Sequence, residues 1–402
     1  EFRGSSPEFA NDVEVSGNLA VIYGEDSLGG LGGTTTFTCS NSPQVKGTTQ
    51  HRPLVVSGNL NPGKNSTGLN LFLGKVWMCA MPNLATSSVA ARGGRLVFGG
   101  GLDLGYPGEI RDISVNDADG GSIVVSNGVL RTLGSDRLSL YGGELHLYSP
   151  NNEINIVQMG YVSGEGTTLY THAPNAIYAS RLNLAGNQPG GSVWDLCGCD
   201  QTVKYFQGGR GKTLADNKPS TIRSATPALL HLEDEANIYS PGTQSTSSAT
   251  NWTYFVGAAG FSKDGPFKDH SLVQISSSTG TVQVTNGSLY FRKNCIYNGV
   301  DYGDRGSWPK ASKAIAKGTG TLVFEHGASI GRKTNVEIAD SGRIQIDAGV
   351  VQQCRSLTIG GVLMAEGTWG SPDSAAEHKD AAFTGTGVLD VCAHRGLSVI
   401  LR

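Results

Sequence analysis

Two stretches of the chain that lie far apart share one pattern, namely Gly121-Ser122-Ile123-Val124-Val125-Ser126-Asn127-Gly128-Val129-Leu130 and Gly280-Thr281-Val282-Gln283-Val284-Thr285-Asn286-Gly287-Ser288-Leu289. Each contains a short apolar run, a polar residue, an Asn-Gly pair and the start of a second apolar run. Apolar runs of period two that are separated by Gly or Asn are typical of β-strands joined by tight turns. We expect the glycine to supply the positive φ that such a turn requires.

Runs of this kind recur along the whole chain. The clearest predicted strands are Arg95–Phe98, Ser122–Val125, Arg137–Tyr141, Glu144–Tyr148, Glu153–Ile156, Thr281–Val284, Ser288–Phe291, Thr321–Phe324, Arg343–Ile346 and Ser356–Ile359. The same turn recurs near the N-terminus in Val15-Ser16-Gly17-Asn18-Leu19 and Val56-Ser57-Gly58-Asn59-Leu60, and as a variant in Asp340-Ser341-Gly342. Repeated strand-turn units bury their apolar faces by stacking on one another. The pattern predicts an all-β chain folded as a right-handed parallel β-solenoid (β-helix) with loop insertions, and tandem β-sandwiches are the alternative.

Composition supports the all-β prediction. Glycine accounts for 57 of 402 residues, and only 16% of residues are charged. Glycine destabilises helix interiors, and helical surfaces are normally rich in Glu, Lys and Arg. The 15 prolines and 38% hydrophobic content argue for a folded chain rather than a disordered one.

The chain is expected to divide into four segments. Residues 1–10 resemble an expression scar and are set aside. Residues 11–185 are expected to form N-terminal solenoid coils and residues 271–402 C-terminal coils with a closing repeat. Residues 186–270, richer in Gly, Ser, Thr and Lys, are expected to hold loop-rich insertions, and long loops on a rigid scaffold often carry function.

Charge and hydropathy exclude several partners. A net charge of -3 provides no field that would gather phosphates, so nucleic acid is not an expected partner. No continuous apolar stretch has the length of a membrane span. The sequence contains no serine-hydrolase elbow, zincin helix or phosphate-cradling loop, and no cofactor is predicted.

Metal and disulfide chemistry has little support in the sequence. Seven cysteines are scattered along the chain, namely Cys39, Cys79, Cys197, Cys199, Cys295, Cys354 and Cys392. Because the number is odd, at least one is unpaired or intermolecular, and buried thiols with one or two bridges are expected. Cys197 and Cys199 lack a second pair at zinc spacing. Asp117 and Asp119 offer alternate oxygen ligands for calcium but lack the downstream glutamate, so a solvated turn is the simpler interpretation and no metal site is predicted.

The C-terminal third carries a more specific pattern. It contains Gly318-Thr319-Gly320-Thr321-Leu322-Val323-Phe324 and Ser356-Leu357-Thr358-Ile359-Gly360-Gly361, and it ends with Ala365-Glu366-Gly367-Thr368-Trp369-Gly370 and Phe383-Thr384-Gly385-Thr386-Gly387-Val388-Leu389-Asp390-Val391. This resembles the final coils of exported autotransporter-like β-strand-repeat proteins of bacteria. The resemblance implies the solenoid fold and secretion or attachment at the cell surface, and it implies no reaction.

The whole chain also resembles secreted aspartic-type peptidases of mucin-degrading gut bacteria. That resemblance implies hydrolysis of mucin by two carboxylates that share a proton. Ile338-Ala339-Asp340-Ser341-Gly342 satisfies the apolar-apolar-Asp-Ser-Gly motif, and Gln345-Ile346-Asp347-Ala348-Gly349 is the nearest second copy, with Ala in place of the hydroxyl. Asp340 and Asp347 are therefore the candidate catalytic residues. The simpler interpretation is that both are turn residues.

Two further groups of side chains were candidates. His231-Leu232-Glu233-Asp234-Glu235 and Glu377-His378-Lys379-Asp380 place carboxylates beside histidine, which suits acid-base chemistry but equally a polar surface. The aromatic candidates for sugar stacking, or alternatively for the core, are Trp194, Tyr205, Phe206, Trp252, Tyr254, Phe255, Phe261 and Phe267.

Two functions remain open on sequence alone. The first is a secreted hydrolase that acts on extracellular host glycoprotein such as mucin, an aspartic-type peptidase with paired carboxylates. The second is a non-catalytic cell-surface adhesion module that binds glycan or protein. The residues themselves slightly favour binding, whereas the resemblance favours hydrolysis.

Overall fold

The computed structural model describes residues 122–130, 143–150, 166–177, 191–204, 220–233, 253–265, 276–294 and 306–392 in full, and outside these ranges it describes strands and a few single positions. The chain forms two compact units, Glu1–Ile222 and Arg223–Arg402. They are called unit 1 and unit 2 below. Every regular element in the described part is a strand, as predicted. Within that part, no helix has the length and apolar character needed to cross a membrane.

The strands are short, and most have two to five residues. Those that begin in unit 1 are β1 (Val13–Val15), β2 (Val21–Tyr23), β3 (Gly30–Leu31), β4 (Thr35–Phe37), β5 (Gln44–Lys46), β6 (Leu54–Val56), β7 (Leu60–Asn61), β8 (Leu69–Phe72), β9 (Lys75–Met78), β10 (Ser88–Arg92), β11 (Arg95–Phe98), β12 (Leu102–Asp103), β13 (Arg111–Val115), β14 (Ser122–Val125), β15 (Leu130–Arg131), β16 (Leu138–Tyr141), β17 (Gly143–Leu147), β18 (Ile156–Met159), β19 (Thr167–Thr171), β20 (Tyr178–Ala179), β21 (Arg181–Leu184), β22 (Ser192–Asp195), β23 (Gln201–Val203), β24 (Phe206–Gln207) and β25 (Ser220–Leu232). Those of unit 2 are β26 (Thr253–Lys263), β27 (His270–Leu272), β28 (Val282–Val284), β29 (Ser288–Phe291), β30 (Ile296–Tyr297), β31 (Val300–Asp301), β32 (Lys313–Ala316), β33 (Thr321–Phe324), β34 (Asn335–Ile338), β35 (Arg343–Ile346), β36 (Val351–Cys354), β37 (Ser356–Ile359), β38 (Val362–Leu363), β39 (Gly367–Gly370), β40 (His378–Lys379), β41 (Phe383–Thr384) and β42 (Val388–Val391).

Most described strand pairs are parallel. In unit 1, a nine-stranded sheet runs β2-β5-β8-β10-β13-β16-β18-β21-β24, and a second ladder pairs β3, β6, β9, β11, β14, β17, β19 and β22 in that order. In unit 2, one ladder pairs β26, β28, β32, β34 and β37, and another pairs β27, β29, β33, β35 and β41. The antiparallel pairs among the described strands are β30 with β31, β37 with β38, and β39 with β42.

The core of unit 1 is built by residues that stand in register on successive strands. Ile123 pairs with Leu145, Leu145 with Leu169, and Leu169 with Trp194, and all four side chains are buried. Each step along this row therefore stacks one apolar side chain on the equivalent residue of the next strand. Burial of such side chains from water stabilises the fold by about 25 cal/mol per Å² of apolar surface.

Unit 2 repeats this arrangement. Phe261, Val282, Ala314, Val336 and Leu357 stand in register on five successive strands and are all buried. The row has its smallest side chain, Ala314, in the middle and its largest, Phe261, at one end, and it forms a continuous apolar core.

A buried amide joins the repeats of unit 1 at a corner. The Oδ1 of Asn152 accepts a hydrogen bond from the Leu130 backbone N–H at 2.6 Å, and its Nδ2 donates to the Ala176 carbonyl at 2.6 Å. Leu130 lies 22 residues before Asn152 and Ala176 lies 24 residues after it. One side chain thus satisfies backbone groups on the preceding and the following repeat, groups that would otherwise be buried without partners.

Unit 2 has an equivalent amide in Gln352, whose side chain is fully buried. Its Oε1 accepts from the Ser329 N–H at 3.0 Å, and its Nε2 donates to the Ile330 carbonyl at 3.0 Å and to the Gln353 carbonyl at 2.8 Å. The sequence does not reveal these two amides, because Asn and Gln are normally expected at the surface of a protein.

The predicted turn glycines are confirmed at two positions and wrong at a third. Gly128 and Gly287, the glycines of the two matching stretches, have φ values of 73° and 67°. In the variant turn it is Asp340 that has positive φ, at 53°, rather than Gly342. Gly342 is needed for space, because a Cβ there would lie 2.3 Å from the Ala316 carbonyl oxygen.

Most predicted strands lie where the structure has strands, but Glu153–Ile156 is wrong. The strand is β18, which begins at Ile156, and its buried residues are Val157 and Met159. Ile154 is buried outside a strand. Ile154 and Val157 are three positions apart, so the period-two pattern of β18 does not extend back to Ile154.

The segment 186–270, expected to be loop-rich, contains the two longest of the described strands. β25 has 13 residues and β26 has 11. Buried and partly exposed residues alternate from Ser220 to Ser224 in β25, which is the pattern of a strand. Composition suggested loops because Gly, Pro, Lys, Ser and Thr are frequent in this segment.

Candidate functional site

The most distinctive polar surface in the described part of unit 1 lies on β17 and β19. These parallel strands place His146 directly opposite Tyr170. Alternate residues of a strand point to the same face, so Glu144, His146 and Tyr148 share one face of the sheet. His172 follows β19 and its backbone N–H donates to the Leu147 carbonyl at 2.8 Å, which continues the pairing.

Four aromatic rings form a two-by-two stack on this face, here called the aromatic ladder: His146, Tyr148, Tyr170 and His172. The His146 and Tyr170 ring centroids lie 4.3 Å apart with planes within 3° of parallel, and those of Tyr148 and His172 lie 4.0 Å apart within 8°. The ring of His172 also lies 5.4 Å from that of His146. The strand spacing of about 4.8 Å in a sheet sets this stacking distance.

Hydrogen bonds hold the rings of His146, His172 and Tyr170 in place. His146 Nδ1 and His172 Nε2 lie 3.1 Å apart, and His146 Nε2 lies 3.2 Å from a carboxylate oxygen of Glu144. The Tyr170 hydroxyl donates to the other Glu144 oxygen at 3.3 Å. Because a carboxylate accepts, neutral His146 carries its proton on Nε2, and His172 Nε2 then donates to His146 Nδ1.

Exposure differs between the members of the ladder. Tyr148 is 43% exposed and the Glu144 side chain 47%, whereas the His146 side chain is only 19% exposed. One ring face of Tyr148 is covered by His172. Ser126, the exposed residue directly after β14, follows the residue that pairs with Leu147, and part of the Tyr148 ring is open to solvent.

The environment also changes the basicity of His172. Burial lowers the pKa of His172 below its ordinary value of 6.5, and the neighbouring His146 lowers it further, while Asp195 acts in the opposite direction. The ladder therefore holds His172 neutral at a pH at which a free histidine would be protonated.

Two partly buried cysteines, Cys197 and Cys199, follow β22 next to the ladder. Burial, followed by the charge of Asp195, raises the pKa of Cys197 to about 12, and burial also raises the pKa of Cys199. Burial likewise raises the pKa of Cys354 to about 12. Cys354, Cys392 and this pair are unbridged, so none of the expected one or two bridges lies among the described cysteines, and the raised pKa values favour the thiol over the reactive thiolate at neutral pH. Cys39, Cys79 and Cys295 lie outside the described residues.

The predicted catalytic carboxylates lie on either side of β35. Asp340 is exposed, precedes the strand and accepts a 3.4 Å hydrogen bond from the Gly318 N–H. Asp347 follows the strand and accepts from the Gln345 side chain at 3.2 Å. A four-residue strand is roughly 13 Å long, whereas a shared proton requires oxygens about 3 Å apart. No hydrogen bond joins the two carboxylates in residues 306–392, so their catalytic pairing stays a prediction.

The two histidine motifs behave differently from each other. His231 pairs with Asp264, at 2.6 Å between Nδ1 and Oδ2, and the neighbouring Asp234 and Glu235 lie outside the described residues. His378 stacks on Trp369 with ring centroids 4.7 Å apart. Sequence reasoning missed Asp264 because it lies 33 residues from His231.

Several aromatic candidates belong to the core. Trp194, Phe255 and Phe261 are buried, and Phe255 packs against Phe261 with ring centroids 5.6 Å apart. Tyr205, Phe206, Trp252 and Phe267 lie outside the residues whose side chains are described. Asp117 and Asp119 also lie outside the described residues. Among the residues that are described, no cluster of three His, Cys, Asp or Glu side chains could hold a metal ion.

Sequence reasoning did not identify the aromatic ladder. Its signal is the alternation of Glu144, His146 and Tyr148, followed 24 residues after His146 by Tyr170 and then by His172. That spacing becomes informative only once the register of β17 and β19 is known. Comparisons of the chain with protein-family models, curated proteins and solved structures found no match.

Proposed function

We propose that this chain is a secreted or cell-surface bacterial protein that binds glycans of extracellular glycoproteins, such as mucin, through the aromatic ladder. The observation that carries the proposal is the partly exposed ring of Tyr148, which directly follows β17, beside the exposed Glu144 carboxylate on that strand. The C–H face of a sugar packs well on an aromatic ring, and a carboxylate accepts hydrogen bonds from sugar hydroxyls.

The hydrogen bonds of the ladder support this role. Glu144 is already oriented by His146 and Tyr170, so it loses little conformational freedom when a ligand binds. Tyr148 is likewise held by its stack on His172. Preorganised side chains of this kind give more affinity than flexible ones because less entropy is lost on binding.

The scaffold in this proposal is a right-handed parallel β-solenoid in each unit. The parallel ladders support it, since Ile123, Leu145, Leu169 and Trp194 recur in register at near-constant intervals along the chain. Parallel strands in one sheet need crossover connections, which are right-handed in nearly all proteins.

Affinity electrophoresis in gels that contain mucin tests the binding function. Tyr148→Ala removes the ring and is expected to weaken retardation by roughly tenfold in Kd, which corresponds to about 1.4 kcal/mol of lost stacking. Tyr148→Phe keeps the ring and is expected to bind nearly as well as the parent. Val362→Ala is the matched control, since Val362 is an exposed apolar residue that lies in unit 2.

Two results would contradict this proposal. Binding by Tyr148→Ala that equals the parent would remove the ladder as the site. A parent protein that shows no retardation by mucin and no signal on an array of animal glycans would remove glycan binding itself.

The alternative function is hydrolysis of mucin polypeptide by an aspartic-type mechanism with Asp340 and a second carboxylate. Its support is the positive φ of Asp340, since non-glycine residues in this region are uncommon and cluster at functional sites. Asp340→Asn is expected to keep the melting temperature, because Asn tolerates the same backbone conformation, and to lose mucin digestion between pH 3 and 8. Digestion at the parental rate by a variant that melts like the parent would end this alternative.

A further inference from the structure

A second cluster of titratable side chains lies in unit 2. His231 stands on β25 and Asp264 directly follows β26. His231 Nδ1 lies 2.6 Å from Asp264 Oδ2, a short distance for a hydrogen bond to a carboxylate. The Asp264 backbone N–H donates to the Leu232 carbonyl at 2.9 Å, which ties the two chain segments together next to the pair.

The Asp264 carboxylate is held firmly in the ionised state. Its Oδ1 accepts hydrogen bonds from the Ser262 hydroxyl at 2.5 Å and from the Thr285 hydroxyl at 2.6 Å. Burial by itself would raise the pKa of Asp264, but the bonds from His231 and the two hydroxyls outweigh burial and lower the pKa from 3.8 to about 2. Asp264 therefore remains an anion throughout the neutral and mildly acidic range.

The ionised carboxylate fixes the tautomer of His231. An ionised carboxylate accepts but cannot donate, so the imidazole proton lies on Nδ1. Neutral His231 therefore presents a basic lone pair on Nε2. Within the described residues no hydrogen bond engages Nε2, and the His231 side chain is 26% exposed, so water or a ligand can reach the ring.

We propose that His231 is a general base that activates water for the hydrolysis of carboxylic esters, and that Asp264 is its positioning residue. Nε2 takes a proton from water while the water oxygen bonds to the acyl carbon. The tetrahedral intermediate then collapses, the ester C–O bond breaks, and the alkoxide takes the proton back from the imidazolium. The products are a carboxylic acid and an alcohol.

Esters are the substrate class that this arrangement suits. An alkoxide leaves more readily than an amide anion, so ester hydrolysis needs less assistance from a general acid than peptide hydrolysis does. The same orientation of an imidazole by a buried aspartate operates in Ser-His-Asp enzymes. The inference is independent of the aromatic ladder, which lies in unit 1.

The test uses the full chain and 4-nitrophenyl acetate as the probe. His231→Gln removes the base and is expected to lower the rate above buffer by about 100-fold, the lower end of what general-base catalysis contributes. Asp264→Asn keeps His231, but an amide no longer forces the imidazole proton onto Nδ1. The rate is therefore expected to fall, and the midpoint of the pH-rate profile is expected to move. His378→Gln is the control, because that histidine stacks on Trp369 and should leave the rate unchanged.

Two further measurements keep the proposal open to refutation even if a variant folds poorly. The rate of the parent is expected to be lower in D2O, and an unchanged rate would indicate direct attack by Nε2 and overturn the general-base role. The ¹⁵N spectrum of the parent, followed as a function of pH, is expected to show that the neutral imidazole of His231 carries its proton on Nδ1. A neutral imidazole with its proton on Nε2, or equal loss of rate in His231→Gln and His378→Gln, would overturn the assignment.

Discussion

Replacement of Gln352 by Leu tests whether the buried amide stabilises unit 2. The side chain of Gln352 is fully buried and bonds the Ser329 N–H and the Ile330 carbonyl, each at 3.0 Å. Leu has a similar volume but leaves both backbone groups buried without these partners. An unsatisfied buried group costs about 1–3 kcal/mol, so two groups cost roughly 2–6 kcal/mol, from which the added apolar contact of Leu subtracts about 1 kcal/mol.

Differential scanning calorimetry measures this effect. A loss of about 3 kcal/mol corresponds to a fall of roughly 6–12 °C in the Tm of a unit of this size. Gln345→Leu is the matched control, because Gln345 lies partly exposed on β35 and its side chain bonds only the Asp347 carboxylate in the described residues. Its expected cost is below about 1 kcal/mol. Equal Tm shifts for the two variants would refute the role assigned to the buried amide.

Three other predictions follow from the charges and turns. The pKa of His172 in the folded state is below 6.5, so the unfolded chain binds a proton more readily than the folded chain does. The stability of unit 1 is therefore expected to fall as the pH drops below about 6.5. Urea unfolding at pH 7.5 and at pH 5 should show a smaller difference in stability for His172→Phe than for the parent. Asp264 has a folded pKa of about 2 against 3.8, so its contribution is complete above pH 4 and is lost as pH falls toward 2. Asp264→Asn should therefore cost about 1–2 kcal/mol at pH 7, after allowance for partial exposure, and almost nothing at pH 2, and an equal cost at both pH values would contradict the assignment. Calorimetry should show that Gly385→Ala destabilises unit 2 more than Gly349→Ala does. Both glycines have positive φ, at 76° and 75°. A Cβ at Gly385 would lie 2.1 Å from the Ile346 carbonyl oxygen, whereas a Cβ at Gly349 would meet no atom within 4 Å. Gly349→Ala thus costs about 1–2 kcal/mol for backbone strain alone.

The local sequence pattern was sufficient to predict most of the strands and the positive φ of two turn glycines. Period-two runs such as Ser288–Phe291 match the strand exactly because one inward face is apolar and the other is polar. The Asn-Gly turns at Gly128 and Gly287 were predictable because glycine is the residue that adopts positive φ without strain.

The candidate sites were beyond local sequence because they depend on register. The His231 pair with Asp264 spans 33 residues, and the contact between His146 and His172 spans 26. No propensity or spacing rule fixes which strand lies beside which at that separation. The role of Asn152 could not be predicted for a related reason, because its partners are backbone groups on two other repeats.

The buried amide of Asn152 has a consequence for the order in which the chain folds during synthesis. A ribosome releases the chain from its N-terminus, so Asn152 can accept from the Leu130 N–H as soon as Asn152 itself has emerged. One Nδ2 hydrogen can bond the nearby Ser149 carbonyl at once, but the other must wait for the Ala176 carbonyl, which emerges 24 residues later. Until then that hydrogen is bonded to water, and the arrival of the next repeat replaces the water with a buried carbonyl. Each repeat therefore consolidates the one made before it, and the nascent chain is least stable at its newest repeat.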